Sequence, residues 1–172
     1  MIVVVMGVSG CGKSTVAGLL AHELRCTFLD GDDFHSATNR AKMQAGTPLT
    51  DADREPWLED IRASIEEANK DGRSLVIACS ALKAAYRDVL RGEMRDVQFV
   101  YLKADFGLLQ ERLQMRKDHF FNPALLQSQL DTLEEPSDAV TVNVSLPCTA
   151  IVAKVMEQFH ARGSISKPNR PA

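Results

Sequence analysis

The chain has 172 residues, 45% of them hydrophobic and 25% charged, which amounts to about one ordinary domain with material for a sizeable core. Its net charge of −3 excludes a general attraction to nucleic acid or membrane, so an anionic substrate would need positive charge gathered in a local pocket. Cys11, Cys26, Cys79 and Cys148 form no CxxC pair and no metal-ligand spacing, which points to reduced core thiols. With no secretory h-region and no apolar run near the ~20 residues of a bilayer span, the expected compartment is the cytoplasm.

In chain order, short and continuously apolar runs read as strands at Ile2–Met6, Thr27–Leu29, Leu75–Cys79, Val97–Leu102 and Val140–Val144. Continuous apolarity fits a parallel sheet covered on both faces. Helical stripes alternate with the strands: Val16, Leu19, Leu20 and Leu24; Trp57, Ile61, Ile65 and Ala68; Leu108, Leu109, Leu113 and Met115; Ile151, Val152, Val155, Met156 and Phe159. The class is therefore α/β, three-layered and doubly wound. From His35 to Asp53 the chain is polar with weak periodicity. "REPWL" then starts a helix, with Pro56 tolerable only in its first turn. "KDHFFNPALLQS", Lys117 to Ser128, is an aromatic-rich insertion between the fourth and fifth strands. Both regions are expected at the carboxyl ends of strands, where open α/β sheets bind ligands. The polar tail from Gly163 is expected to fray.

"GVSGCGKS", Gly7 to Ser14, fills every specified position of G-x-x-x-x-G-K-[ST]. Gly7, Val8, Ser9, Gly10, Cys11, Gly12, Lys13, Ser14 and Thr15 are the expected nucleotide-binding residues. The glycines let backbone N–H groups converge on phosphate oxygens, and the following helix adds its positive end. Lys13 would reach the β/γ-phosphates, and the Ser14 hydroxyl would ligate Mg²⁺. The alternative is a merely tight glycine turn, which the strand before it and the amphipathic helix after it argue against.

A phosphate-loop enzyme commonly holds its metal with an Asp at the end of a further strand, yet the third strand, "SLVIACS", ends without a carboxylate. The acids follow the second strand, in "FLDGDDFH". If the chain stays extended through Gly31, Asp30 and Asp32 fall on one side. One can then serve the Mg²⁺ shell while the other accepts the proton of an attacking hydroxyl; the competing reading is a solvated acidic turn. Asp33 faces away, as a cap or surface charge. His35 is either a structural hydrogen-bonder or part of the same pocket.

Arg112 and Arg116 stand four apart on one helix face just before the insertion. An arginine on a closing flap would stabilise the transferred phosphoryl group and help exclude water, although the helix dipole alone also favours such a pair. Ser80, Lys83 and Arg54 are candidates near the acceptor. Arg87 and Arg91 are expected on the outer face of their helix, and Trp57 in the core.

Taken together, "MGVSGCGKST", "DGDDFH", "NRAKMQAGTPLTDADREPWL", "IACSALKAAYRDVLR", "RLQMRKDHF" and "LLQSQLDTLEEP" resemble the gluconokinase family of small P-loop kinases, in the family's order from Met6 to Pro136. The resemblance implies ATP-dependent phosphorylation of the 6-hydroxyl of D-gluconate and a sheet ordered 2-3-1-4-5, as in shikimate and nucleoside-monophosphate kinases. It further implies one kinase domain over 1–163, an acceptor region at about 35–60, a mobile lid at about 117–128, and a homodimer. Lys13, Asp32 and Arg116 would be catalytic, with Arg112 and Arg116 also on the nucleotide. Asp32, His35, Arg54, Lys83 and His119 would bind substrate, and Ser14 and Asp30 would hold Mg²⁺. Cys11 stands where the family commonly has serine, and Asp118 adds a negative charge to the lid. The rivals are another small-molecule kinase of this fold, acting on shikimate or a nucleotide, and a binding protein switched by ATP.

Overall fold

The computed structural model describes residues 1–94, 96–115 and 123–165. Five strands form one parallel sheet: β1 (Ile2–Met6), β2 (Thr27–Asp30), β3 (Leu75–Ala78), β4 (Val97–Lys103) and β5 (Val140–Asn143), in the order β2-β3-β1-β4-β5. The helices among the described residues are α1 (Lys13–Leu24), α2 (Ala37–Gln44), α3 (Asp51–Lys70), α4 (Ala84–Arg91), α5 (Phe106–Gln114), α6 (Pro123–Thr132) and α7 (Cys148–Ala161). A 3-10 turn, Gly31–Phe34, follows β2.

Central β1 is buried at every position, and its alternate side chains serve two cores. Val3 and Val5 join Val16 and Leu20 of α1, Leu109 of α5, Leu126 of α6 and Phe159 of α7. Ile2, Val4 and Met6 join Trp57, Ile61 and Ile65 of α3 with Tyr86 and Leu90 of α4. A strand sandwiched in this way has no polar face to show, which is why its sequence is a run rather than an alternation. Edge strand β5 does alternate, with Val140 and Val142 in and Thr141 and Asn143 out. No helix among the described residues is long and apolar enough to cross a membrane.

Several expectations need correction. α3 begins at Asp51, ahead of "REPWL", because Thr50 and Asp53 form a reciprocal capping box there. Pro56 therefore sits in the second turn, where it deprives the Ala52 carbonyl of its helical donor. The polar stretch after His35 contains α2, capped by Ser36, whose Oγ accepts from Asn39 N–H at 3.1 Å. In the predicted apolar stripes, Leu19 and Met115 turn outward, at 38% and 78% exposure. Residues 123–128 of the expected lid are the first part of α6, and 117–122 lie outside the described residues.

Candidate active site

β1 delivers the glycine-rich loop to the carboxyl edge of the sheet, and α1 leaves from it. At Gly10 the backbone has φ +83°, and a Cβ there would stand 2.9 Å from Leu113 Cγ, so only glycine allows both the turn and the close seat against α5. Gly12 caps α1, and the first helical bond is Val16 N–H to the Gly12 carbonyl, 3.0 Å. The N–H groups of Lys13, Ser14 and Thr15 consequently have no intrahelical acceptor. They form a positive helix end suited to phosphate. Ser14 and Thr15 are exposed and Lys13 half-buried, its Nζ donating to the Val8 carbonyl at 3.2 Å.

Other loop residues are occupied in shaping the loop. Val8 is buried, and its carbonyl also accepts from Cys11 N–H at 3.4 Å. The Cys11 thiol is buried and pushed above its ordinary pKa by that burial. Ser9 N–H donates at 2.7 Å to Gln129 Oε1. All four cysteines are free thiols.

The acids do not follow an extended path. Gly31 packs so tightly on β3 that a Cβ would lie 2.6 Å from the Ala78 carbonyl, and the chain curls into the 3-10 turn from that point. Asp30 Oδ1 accepts from Asp32 N–H at 3.1 Å as the cap of this turn. The premise that extension places Asp30 and Asp32 side by side therefore fails, and Asp30 holds the turn that presents the exposed Asp32 carboxylate. Gly31→Ala is expected to destabilise the fold by roughly 1–3 kcal/mol through backbone overpacking. Gly18→Ala, in α1 with open space around it, should stabilise by about 0.5–1 kcal/mol. Denaturant midpoints of the two variants test this contrast.

β2 and β1 are separated by β3 alone, so Asp32 and Lys13 flank the end of one strand, roughly 10 Å apart in strand spacing. The Cys79 thiol at that end registers both sides. Burial pushes it up to about 12, while Lys13 pulls it down and Asp32 and Asp30 add to the rise.

Behind Asp32 lies a compact acceptor-side cluster. His35 is buried and stacks on Trp57, with ring centroids 4.5 Å apart, and Trp57 Nε1 donates to the Gly31 carbonyl at 2.7 Å. Burial lowers the His35 pKa, with Asp32 opposing and Arg54 and Arg40 reinforcing the effect. Among the described residues the buried His35 Nδ1 has no hydrogen-bond partner. Arg54 Nη1 donates to the Leu49 carbonyl at 2.5 Å and approaches Tyr86 Oη at 3.5 Å. Lys83 Nζ is gripped by both Asp51 oxygens at 2.8 Å. Those bonds raise the lysine pKa and, with the Tyr86 hydroxyl, lower that of Asp51.

The expected site residues thus fall into two groups, the loop with Lys13 and the cluster of Asp32, His35, Arg54 and Lys83. Arg112 stands apart from the acceptor group; its Nη2 donates to the Val144 carbonyl at 2.7 Å, joining α5 to the loop after β5. Arg116 and His119 lie outside the described residues. Among the described residues no three His, Cys, Asp or Glu side chains group as a metal cage.

Arg87 is not on the outer face of α4. It is buried, and its Nη1 donates to the Ala81 and Leu82 carbonyls, both at 3.1 Å. The turn it braces holds Ala81 at φ +43°, a left-handed conformation strained for alanine. Spacing offered a signal for this, since Arg87 is three residues before buried Leu90. Gln129, at the loop, carried no local signal.

The profile of the shikimate kinase family matches residues 9–146. The thermoresistant gluconokinase of Escherichia coli (strain K12) is 43% identical over 160 residues, covering 91% of each chain. The gluconokinase of Gluconobacter oxydans (strain 621H) is 50% identical over 135 residues, 78% of this chain and 76% of that protein. The chain belongs to the gluconokinase family. A gluconokinase crystal structure from Sinorhizobium meliloti 1021 superposes with TM-score 0.83 at 40% identity, covering 94% of this chain and 93% of that one. Shikimate kinase from Aquifex aeolicus, at TM-score 0.63 and 15% identity, shares the fold alone. As a member of the gluconokinase family the protein is an ATP-dependent kinase.

Proposed function

We propose that this protein transfers the γ-phosphate of ATP to the 6-hydroxyl of D-gluconate, giving 6-phospho-D-gluconate and ADP. The observation that carries this reading is an under-compensated cation, Arg54, beside the fully engaged Lys83–Asp51 pair. Lys83 is neutralised by Asp51, whereas Arg54 has that carboxylate only at 4.0 Å and otherwise meets neutral oxygens. An acceptor bearing both a hydroxyl and a carboxylate suits such a site.

In this scheme the free N–H groups of Lys13, Ser14 and Thr15 receive the donor phosphates, and the Lys13 ammonium moves from the Val8 carbonyl onto them. Asp32 takes the 6-hydroxyl proton as the O–P bond to the acceptor forms and the bond from Pγ to the β-phosphate oxygen breaks, the electron pair leaving on ADP. The Ser14 hydroxyl would hold Mg²⁺, which when bound would supply charge neutralisation on the phosphates. Asp30 acts through Asp32 by holding the turn. Arg54 holds the sugar-acid carboxylate and His35 lines its pocket. Arg116, with Arg112, neutralises the phosphates of the nucleotide, and His119 is a further candidate for binding the substrate. The protein works as one domain over 1–163 with a tail at 164–172, as a homodimer in the cytoplasm.

A coupled ADP-release assay over gluconate, related sugar acids, shikimate and nucleoside monophosphates tests the reading. Gluconate should give the highest kcat/KM. Faster turnover of shikimate or a nucleotide overturns the acceptor assignment, and ATP consumption indifferent to every acceptor favours a nucleotide switch.

A further inference from the structure

Gln129 of α6 meets Ser9 of the phosphate loop across 120 residues of chain. Its carboxamide engages two polar groups of that residue, the backbone N–H and the hydroxyl. Ser9 N–H donates to Oε1 at 2.7 Å, and Nε2 donates to Ser9 Oγ at 3.1 Å. The loop's other backbone N–H bonds are longer, Gly7 N–H to the Ser80 carbonyl at 3.3 Å and Cys11 N–H to the Val8 carbonyl at 3.4 Å. A carboxamide suits this position because it accepts and donates at once while adding no charge beside a polyphosphate. A carboxylate could only accept, and would repel the nucleotide.

The same stretch of chain reaches the acceptor side a few residues later. Glu134 N–H donates to the Leu82 carbonyl at 2.9 Å, and Glu134 Oε2 accepts from Ala84 N–H, at the start of α4, at 2.7 Å. These bonds grip the β3–α4 turn from outside while Arg87 grips it from within. Glu135 anchors the segment to β4 through Tyr101 Oη at 3.2 Å and Lys103 Nζ at 2.8 Å. One segment, 129–135, thus holds the donor loop at one end and the turn at the carboxyl end of β3 at the other. In-line transfer depends steeply on the distance and alignment of donor and acceptor.

We infer that Gln129 is a positioning residue for phosphoryl transfer, fixing Ser9 so that the segment 129–135 keeps the donor loop in register with the acceptor-side turn. It acts through Ser9 and has no contact with the reacting atoms. This rests on the kinase reading but not on gluconate, because ATP affinity can be measured without any acceptor.

The test compares Gln129→Met, of similar length and unable to form either bond, with Gln129→Glu and Ser9→Ala. For Gln129→Met, kcat/KM for ATP should fall about tenfold, as for loss of one or two hydrogen bonds. KM for gluconate should stay within about twofold and the melting temperature within about 4 °C, the shift expected for about 1 kcal/mol in a chain of this size. Gln129→Glu should weaken ATP binding in the absence of acceptor more than Gln129→Met does, with salt partly restoring it. In the Ser9→Ala background Gln129→Met should cost less than in the wild type, because one of the two bonds is already gone. Unchanged ATP kinetics in Gln129→Met overturns the inference. So does an equal loss toward both substrates with a lowered melting temperature, which marks a merely structural contact. Wild-type ATP binding without gluconate turnover would count against the acceptor assignment, and the ATP affinities of the variants would still decide the role of Gln129.

Discussion

Asp32→Asn is expected to lower kcat by about 10²–10⁴-fold, the usual contribution of a positioned general base. ATP affinity should stay within about threefold, because the donor loop lies across β3 and is untouched. The substitution is nearly isosteric, and the turn that carries residue 32 rests on its backbone N–H, given to Asp30 Oδ1 at 3.1 Å. The amide can still hydrogen-bond the acceptor hydroxyl but cannot take its proton, so the loss should fall on kcat with little change in KM for gluconate. Asp33→Asn is the matched control, since Asp33 is also exposed in the same 3-10 turn and should leave kcat near the wild-type value. Steady-state kinetics and a melting curve on both variants decide the matter. Near-normal turnover in Asp32→Asn would remove the general base from the mechanism and leave positioning and electrostatics to carry the transfer.

The strands could be read directly because burial on both faces forces an unbroken apolar run, and the phosphate loop because its spacing is dictated by backbone geometry. Most of the departures arise from contacts between segments, which local pattern does not encode; the start of α3 is a local exception. Pro56 looks like a first-turn residue, yet the Thr50–Asp53 box three residues earlier settles where α3 starts. Hydrogen bonding from Lys42 first, and then from Thr50, holds the Asp53 carboxylate down at about 2, so this cap is ionised at neutral pH. α2 has almost no apolar face to announce it; it is held by Ser36 at its start and by Asn39, whose Nδ2 donates to the Asp53 carbonyl at 2.6 Å.

The acidic turn is the more instructive case. Alternation would align Asp30 with Asp32, but contact of Gly31 with the Ala78 carbonyl decides the local backbone. Two carboxylates that appeared to share one task consequently divide into a cap and a presented acid. Arg87 shows the converse, a charge that is buried because the carbonyls of a strained turn need a donor. Lys83 and Arg54 could not be ranked as cations from sequence, since only the fold brings Asp51 onto one of them. The acidic turn and the ranking of the two cations depend on contacts between segments remote in sequence, whereas Arg87 answers carbonyls only five and six residues before it.

Lys13→Met should reduce kcat/KM for ATP by about 10²–10³-fold, comparable to removing a preorganised charge or donor from a developing anion. The fold should survive, because the ammonium's bond in this state is to the Val8 carbonyl at 3.2 Å, worth about 1 kcal/mol. Loss of activity without loss of melting temperature would therefore separate charge from structure. Lys13→Arg sharpens the point. It preserves the charge but replaces a compact ammonium with a planar fork, in a loop whose Gly10 already seats against Leu113 with no room for a Cβ. Recovery of full activity by arginine would mean that any nearby positive charge suffices. Continued loss, which is expected, would mean that the lysine must reach one place between the β- and γ-phosphates. That place is defined jointly by the Gly12 cap of α1 and the short strand–loop–helix path from Met6.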